Sequence, residues 1–432
     1  SGTGPSLSYA PFDPAAGLAP GEVVILFLGG APGSNVPCPA GVTSAVPSGS
    51  AIVGTSGVGK SFHITSDVPV VAYQINPYGG GSAAVTGASL LLPTSVWDKN
   101  YVAVTVTPYD IYPPSMNIVA AEDNTKVTML PITPVQGGGA LASGPANTPY
   151  VFTLNKGEQA QFTQHADLTG SVIESDKPVG FMAGQPCMRA PQGVAYCDHG
   201  EQMVPPVKAL GHEYVGVMYR PRIPGDQAIW HIVGAVDGTQ LTWSSNVGGP
   251  STINAGQAVD FITEQPFTVQ SQDGDHPFML FTYMSGSTWK PGMDGYGDAD
   301  FVISVPPAQY MSEYVFFTDP TYPETNLVIV RAKGNNGFED VELDCAGVLG
   351  NWQPVGEYEW TRVDLISHNF QNQGNCSTGR HQIKSKGRFG LWVWGWGTPE
   401  TGGIFTENVS YGYPGGMNVQ SINEVVILPT PK

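Results

Sequence analysis

The feature that most constrains this chain is that it repeats itself about every 100 to 110 residues, and a repeat must be recognised before any single motif is interpreted. Three patterns recur. Gly followed by Glu or Gln opens a strand-like run at Gly21-Glu22, Gly157-Glu158, Gly256-Gln257 and Gly356-Glu357, the last three 99 and 100 residues apart. A hairpin recurs as Phe62–Val70, Val172–Val179, Val269–Phe278 and, degenerate, Ile383–Phe389, with Pro69, Pro178, Pro277 and Arg388 spaced by 109, 99 and 111. A proline is followed eight positions later by Tyr-Val at Tyr101-Val102, Tyr214-Val215 and Tyr314-Val315. Each Tyr-Val copy leads into a further hairpin, with Asp-Asn or Asp-Gly at the turns of the first two, residues that accept the positive φ of tight hairpins.

Apolar residues alternate at period two in most segments, proline interrupts every candidate helix, and no long i, i+3, i+4 stripe appears. The chain is therefore expected to be all-β. Each period has room for about eight strands, or two antiparallel four-stranded meanders of blade size. The expectation is one β-repeat domain over residues 1–432, with units at about 20–130, 150–245, 250–345 and 350–432, most simply a β-propeller of about seven or eight blades. A row of β-sandwich domains is the alternative, since about 100 residues is also the size of one sandwich. Glu22-Val-Val-Ile-Leu26 returns as Glu424-Val-Val-Ile-Leu428, and two end strands sharing a terminal sheet would remove an exposed edge.

Only 12% of the 432 residues are charged, the net charge is −18, and Gly (55) and Pro (38) are abundant. That balance argues against nucleic acid and anionic membrane as partners, because phosphate binding requires a basic surface. No apolar run approaches the length of a membrane span. The start at Ser1 reads as a processed mature form or an expression product. Of five cysteines, Cys187 and Cys197 bracket one turn-rich loop, Cys345 and Cys376 bracket another, and Cys38 is left over. Two disulfides and one free thiol fit an extracellular or cell-surface protein, whereas no CxxC or HxxxH spacing supports zinc.

Gly54-Thr-Ser-Gly-Val-Gly-Lys-Ser61 satisfies the phosphate-loop pattern, but β-favouring residues follow and Pro69 comes eight positions later, so a Gly/Ser loop entering a strand is expected instead. Asp294, Asp298 and Asp300 stand in a Gly-rich loop as candidate oxygen ligands for calcium, without the spacing of an EF-hand; a solvated acidic loop is the simpler reading. Trp392, Trp394 and Trp396 share one strand face and are candidate ligand-binding residues that stack on sugar rings or a partner. Trp392 aligns with Tyr73, Met182 and Phe281, however, which favours packing. No GxSxG and no helical histidine spacing is present, and no catalytic residue is assigned.

Cys197-Asp-His-Gly-Glu-Gln, the Pro205-Pro206 that follows, Leu210-Gly-His-Glu-Tyr-Val215 and the Ser-Asp-x-Pro-Val hairpins at Ser66 and Ser175 together resemble the N-terminal domain family of IgG Fc-binding proteins, over about residues 50–400. The resemblance implies a secreted or surface binding and adhesion module with no catalytic residues to carry over. The composition leans towards a bacterial exported member. The expected partner is an extracellular glycan or surface protein. A self-assembling surface subunit is one alternative, in which the segments Ser1–Pro20 or Leu428–Lys432 carry the association, and a carbohydrate-active enzyme is another.

Overall fold

The computed structural model describes residues 2–30, 37–46, 54–78, 85–106, 112–335, 337–402 and 407–431. Its architecture is all-β, and the described helices are 3-10 turns of three residues.

Each recurring pattern has a physical cause. Gly157, Gly256 and Gly21 take positive φ (75°, 76° and 84°) in a tight turn, and the Glu or Gln that follows accepts the N–H three residues before it. The acceptor distances are 2.8 Å for Asn155 to Glu158, 3.1 Å for Asn254 to Gln257 and 2.9 Å for Ala19 to Glu22. Pro93, Pro206 and Pro306 each start a 3-10 turn, at Thr94–Val96, Val207–Ala209 and Pro307–Gln309. The tyrosine beyond each turn is a staple. Tyr101, Tyr214 and Tyr314 accept the N–H of Asp98, Gly211 and Met311 at 3.1, 3.1 and 3.0 Å. They donate to the carbonyls of Val179, Phe278 and Phe389, each the residue after the Pro178, Pro277 or Arg388 of the recurring pattern. One hydroxyl thus fixes the strand and the hairpin it pairs with, in a constant register: Tyr101 opposite Ile173, Tyr214 opposite Val269, Tyr314 opposite Ile383.

The strands do not divide into seven or eight separate four-stranded blades. Within residues 213–303, strands 213–216, 239–243, 252–253 and 267–271 form one four-stranded sheet, while 228–234, 258–263, 278–284 and 300–303 form another. The chain crosses repeatedly between the two sheets, and side chains of both, such as Tyr214, Phe267 and Val269 from one and Trp230, Phe261 and Leu280 from the other, share a core. Two sheets sharing one core are compatible with the alternative reading of the repeat, a β-sandwich. In the flanking units the hairpin is one unbroken strand, Val172–Met188 or Gly379–Trp396, running from one layer to the other and fusing them into an eight-stranded and a nine-stranded sheet. In the middle unit the run is broken by the turn at Gln272–Pro277, which carries Asp273, Gly274 and Asp275.

Four edge strands, Gly87–Leu90, Asp198–Val204, Ser410–Pro414 and Asp300–Ile303, meet at the centre. The first packs on the second and on Ser410–Pro414, and Asp300–Ile303 packs on the second and on Ser410–Pro414, closing a ring of four. The repeated pentapeptides lie in no assigned strand and do not pair. Gly57–Lys60 is a strand pairing with Glu158–Gln161, and Lys60 forms an ion pair with Glu158 at 2.9 Å; no helix opens after it, so the phosphate-loop context is lacking.

Candidate functional site

The Cys-Asp-His-Gly-Glu-Gln segment begins the ring strand Asp198–Val204, and its polar side chains face three neighbouring strands. Asp198 is completely buried. Its carboxylate accepts the Thr86 N–H at 3.0 Å and hydroxyl at 3.2 Å, and the Ser410 N–H at 3.0 Å and hydroxyl at 3.3 Å. The Ser410 hydroxyl also lies 2.8 Å from the Asp298 carbonyl, so one carboxylate links four segments far apart in sequence. Three residues after Asp198, Glu201 accepts from Gln74 at 2.6 Å and contacts His199 at 3.1 Å. Gln202 donates to the Ala88 carbonyl at 2.8 Å.

Two more buried carboxylates join this junction. Asp298 accepts the Ser287 N–H at 3.1 Å, and Asp300 accepts the Phe301 N–H at 2.6 Å. Their Oδ2 atoms, and Oε1 of Glu201, are buried without a hydrogen-bond partner. Burial pushes the Asp298 carboxyl up to about 7, against the opposing pull of backbone N–H groups and of Arg222 and Arg189. Asp198 and Asp300 are raised well above the usual carboxylate range, chiefly by burial and then by the neighbouring acids. A buried pair stands beside them: Arg222 binds both oxygens of Asp226 at 2.9 and 3.0 Å, and donates to the carbonyls of Ser285 and Tyr296 at 2.7 and 3.2 Å. It holds the start and end of the loop that carries Asp294.

Asp294 itself is exposed on that loop, apart in environment from Asp298 and Asp300. Among the described residues, the group of three ligand atoms within 4.8 Å of one another is Asp344, Cys345 and His381, not the three aspartates. That group is a staple as it stands. The Cys345 sulfur is bonded to Cys376, and His381 contacts Asp344 at 2.9 Å and the Ser377 carbonyl at 2.7 Å. The structure closes the Cys187–Cys197 bridge as well, and Cys38 is free.

The three tryptophans are brought together, but inside. Trp392 donates to the Ile303 carbonyl at 3.1 Å, Trp394 packs on Tyr219 at 5.1 Å, and Trp396 lies against Tyr219 and under the Arg220 guanidinium at 5.1 Å. All are buried, so their faces are taken by protein and are not presented to a sugar. The roles of Asp198, Glu201, Arg222 and Asp226 were not legible in the sequence, although Asp198, as the centre of Cys-Asp-His, carried a signal.

A family model for the IgGFc binding protein matches residues 87–395, from the first ring strand to the end of the long tryptophan strand. The chain belongs to the IgGFc binding protein family. The matched stretch contains Asp198, Asp298 and Asp300, both disulfides, the three Tyr-Val staples and three of the four ring strands, with Ser410–Pro414 beyond its end. A human IgGFc-binding protein is 24% identical over 229 residues, covering 51% of this chain and 4% of that protein. The chain thus spans a small part of its relative's length. No solved structure matches it. No described helix is long and apolar enough to cross a membrane.

Proposed function

We propose that this member of the IgGFc binding protein family is an exported, secreted or cell-surface module, of bacterial type, that binds an extracellular glycan or surface protein without catalysing a reaction. The family match over residues 87–395 carries this reading. It is supported by the chemistry of the junction, whose carboxylates are buried and bonded to backbone, unlike the open pair a glycosidase uses. The two disulfides are consistent with an oxidising compartment. An open groove lined by Ser312, Lys386, Arg388 and Asn418 offers a cationic concavity on an otherwise acidic protein, which suits an acidic partner. Residues 1–432 act together as one repeat domain in this proposal. Calcium, expected of Asp294, Asp298 and Asp300 from the sequence, stays in the proposal as a cofactor that the binding test decides.

The test is binding of the purified chain to immobilised glycans, mucins and immunoglobulin Fc, with calcium and with a chelator. Saturable binding to one class is expected; silence across the panel would overturn the reading, and binding indifferent to the chelator would remove calcium from it. A second reading, self-association as a structural subunit, is favoured by the exposed apolar segment Phe62–Val71.

A further inference from the structure

Three copies of the pattern pair with a Tyr-Val strand in one register, and among the described residues the first copy pairs with no strand. Ile64 stands two residues before Ser66 as Ile173, Val269 and Ile383 stand before Ser175, Ser271 and Ser385. Yet no strand is assigned between residues 61 and 72, and Phe62 and Ile64 are 49% and 54% exposed. An extended apolar segment with open backbone groups is a template for another strand.

A strand of the matching type lies beyond Pro414. Tyr101, Tyr214 and Tyr314 follow the ends of their ring strands, Leu90, Val204 and Ile303, by 11, 10 and 11 residues; Val425 follows Pro414 by 11. Glu424-Val425-Val426 stands where Glu213-Tyr214-Val215 and Glu313-Tyr314-Val315 stand in their units. It is a fourth copy with valine for tyrosine, and so lacks the hydroxyl that staples the other three. In this molecule it is held through side chains. Asn100 donates to the Ile427 carbonyl at 2.7 Å and accepts its N–H at 2.9 Å, while Asn423 donates to the carbonyls of Val207 and Leu210 at 2.8 and 2.9 Å. Val426 and Leu428 remain 67% and 55% exposed. Among the described residues, no hydrogen bond joins this segment to Phe62–Ser66 of the same molecule.

We propose that Glu424–Ile427 of one copy adds as an antiparallel strand to Phe62–Thr65 of a second copy, with Val425 opposite Ile64 and Val426 opposite His63. The register is the one the three stapled units share. The donated strand exchanges its Asn100 bonds and the packing of Val425 and Ile427 against the core for a backbone ladder, and covers Phe62 and Ile64. Within one molecule the same strand is tied across the Val207–Leu210 linker to Asn100, so its own arm stays open to the tail of another copy. Donor and acceptor are different surfaces, so the contact is heterologous and propagates head to tail. This interface rests on the self-association reading and specifies it.

The test mixes two single variants of the full chain, His63→Cys and Val426→Cys, both made with Cys38→Ser, under mild oxidation. Both positions are exposed, so neither change disturbs the core. A cross-linked dimer in the mixture, well above either variant alone, is expected. Light scattering of the unaltered chain is expected to show mass rising with concentration, and Ile64→Asp to weaken that association by about tenfold or more with unchanged circular dichroism. No mixed dimer while the unaltered chain still associates would overturn this interface alone. A monomer at every concentration would overturn the self-association reading with it. A double variant that links only within one molecule would assign the strand to its own arm and overturn the exchange between copies.

Discussion

At the scale of single residues, buried carboxyl groups give the molecule a pH dependence of predictable sign. Asp298, raised to about 7, holds its proton in the folded state where the unfolded chain has lost it. Between about pH 4 and pH 7 the folded state therefore binds more protons, and stability falls as pH rises through that window, by about 1.4 kcal/mol per pH unit for one proton. Asp198 and Asp300 act in the same direction. Urea unfolding at pH 5 and pH 8 is expected to show the chain more stable at pH 5, and Asp298→Asn to reduce that difference; an unchanged difference would place the titrating groups elsewhere. Of this chemistry the sequence displayed the residues but not their partners. Asp198 is bonded to Thr86 and Ser410, 112 and 212 positions away, and no local pattern encodes contacts of that range.

At the scale of elements, the repeat was legible because its residues act locally. The Gly-Glu turns and the proline before each 3-10 turn follow from short-range backbone constraints. The division of strands between sheets was not legible, since an alternating pattern says that one face is buried and not which layer buries it. The tryptophan strand shows the same limit: spacing placed Trp392, Trp394 and Trp396 on one face, and only the opposing sheet made that face interior. The cysteine pairs were local enough to read, and they also rank in strength. In the chain-entropy view, the bridge of separation 31 between Cys345 and Cys376 stabilises by about 4 kcal/mol, and that of separation 10 between Cys187 and Cys197 by about 3 kcal/mol. Replacing each pair by serines is expected to lower the urea midpoint in that order. The reverse order would mean that the short loop organises more of the ring than its own length.

At the scale of the whole molecule, the polar chemistry faces inward and serves to hold four strands together. Asp198 joins the strand it begins to Thr86, beside Gly87–Leu90, and to Ser410, the first residue of Ser410–Pro414. Ser410 in turn contacts the carbonyl of Asp298, two residues before Asp300–Ile303. At the periphery, Phe62–Val71 and the segment around Val426 expose apolar side chains. Hydrogen exchange of the full chain measured by mass spectrometry tests this division most directly. The account predicts that peptides covering Gly87–Leu90, Asp198–Val204, Asp300–Ile303 and Ser410–Pro414 are the slowest to exchange and open together, while Ser61–Ala72 exchanges within seconds in dilute solution. Ring peptides that exchange as fast as Ser61–Ala72, or that open independently of one another, would contradict it.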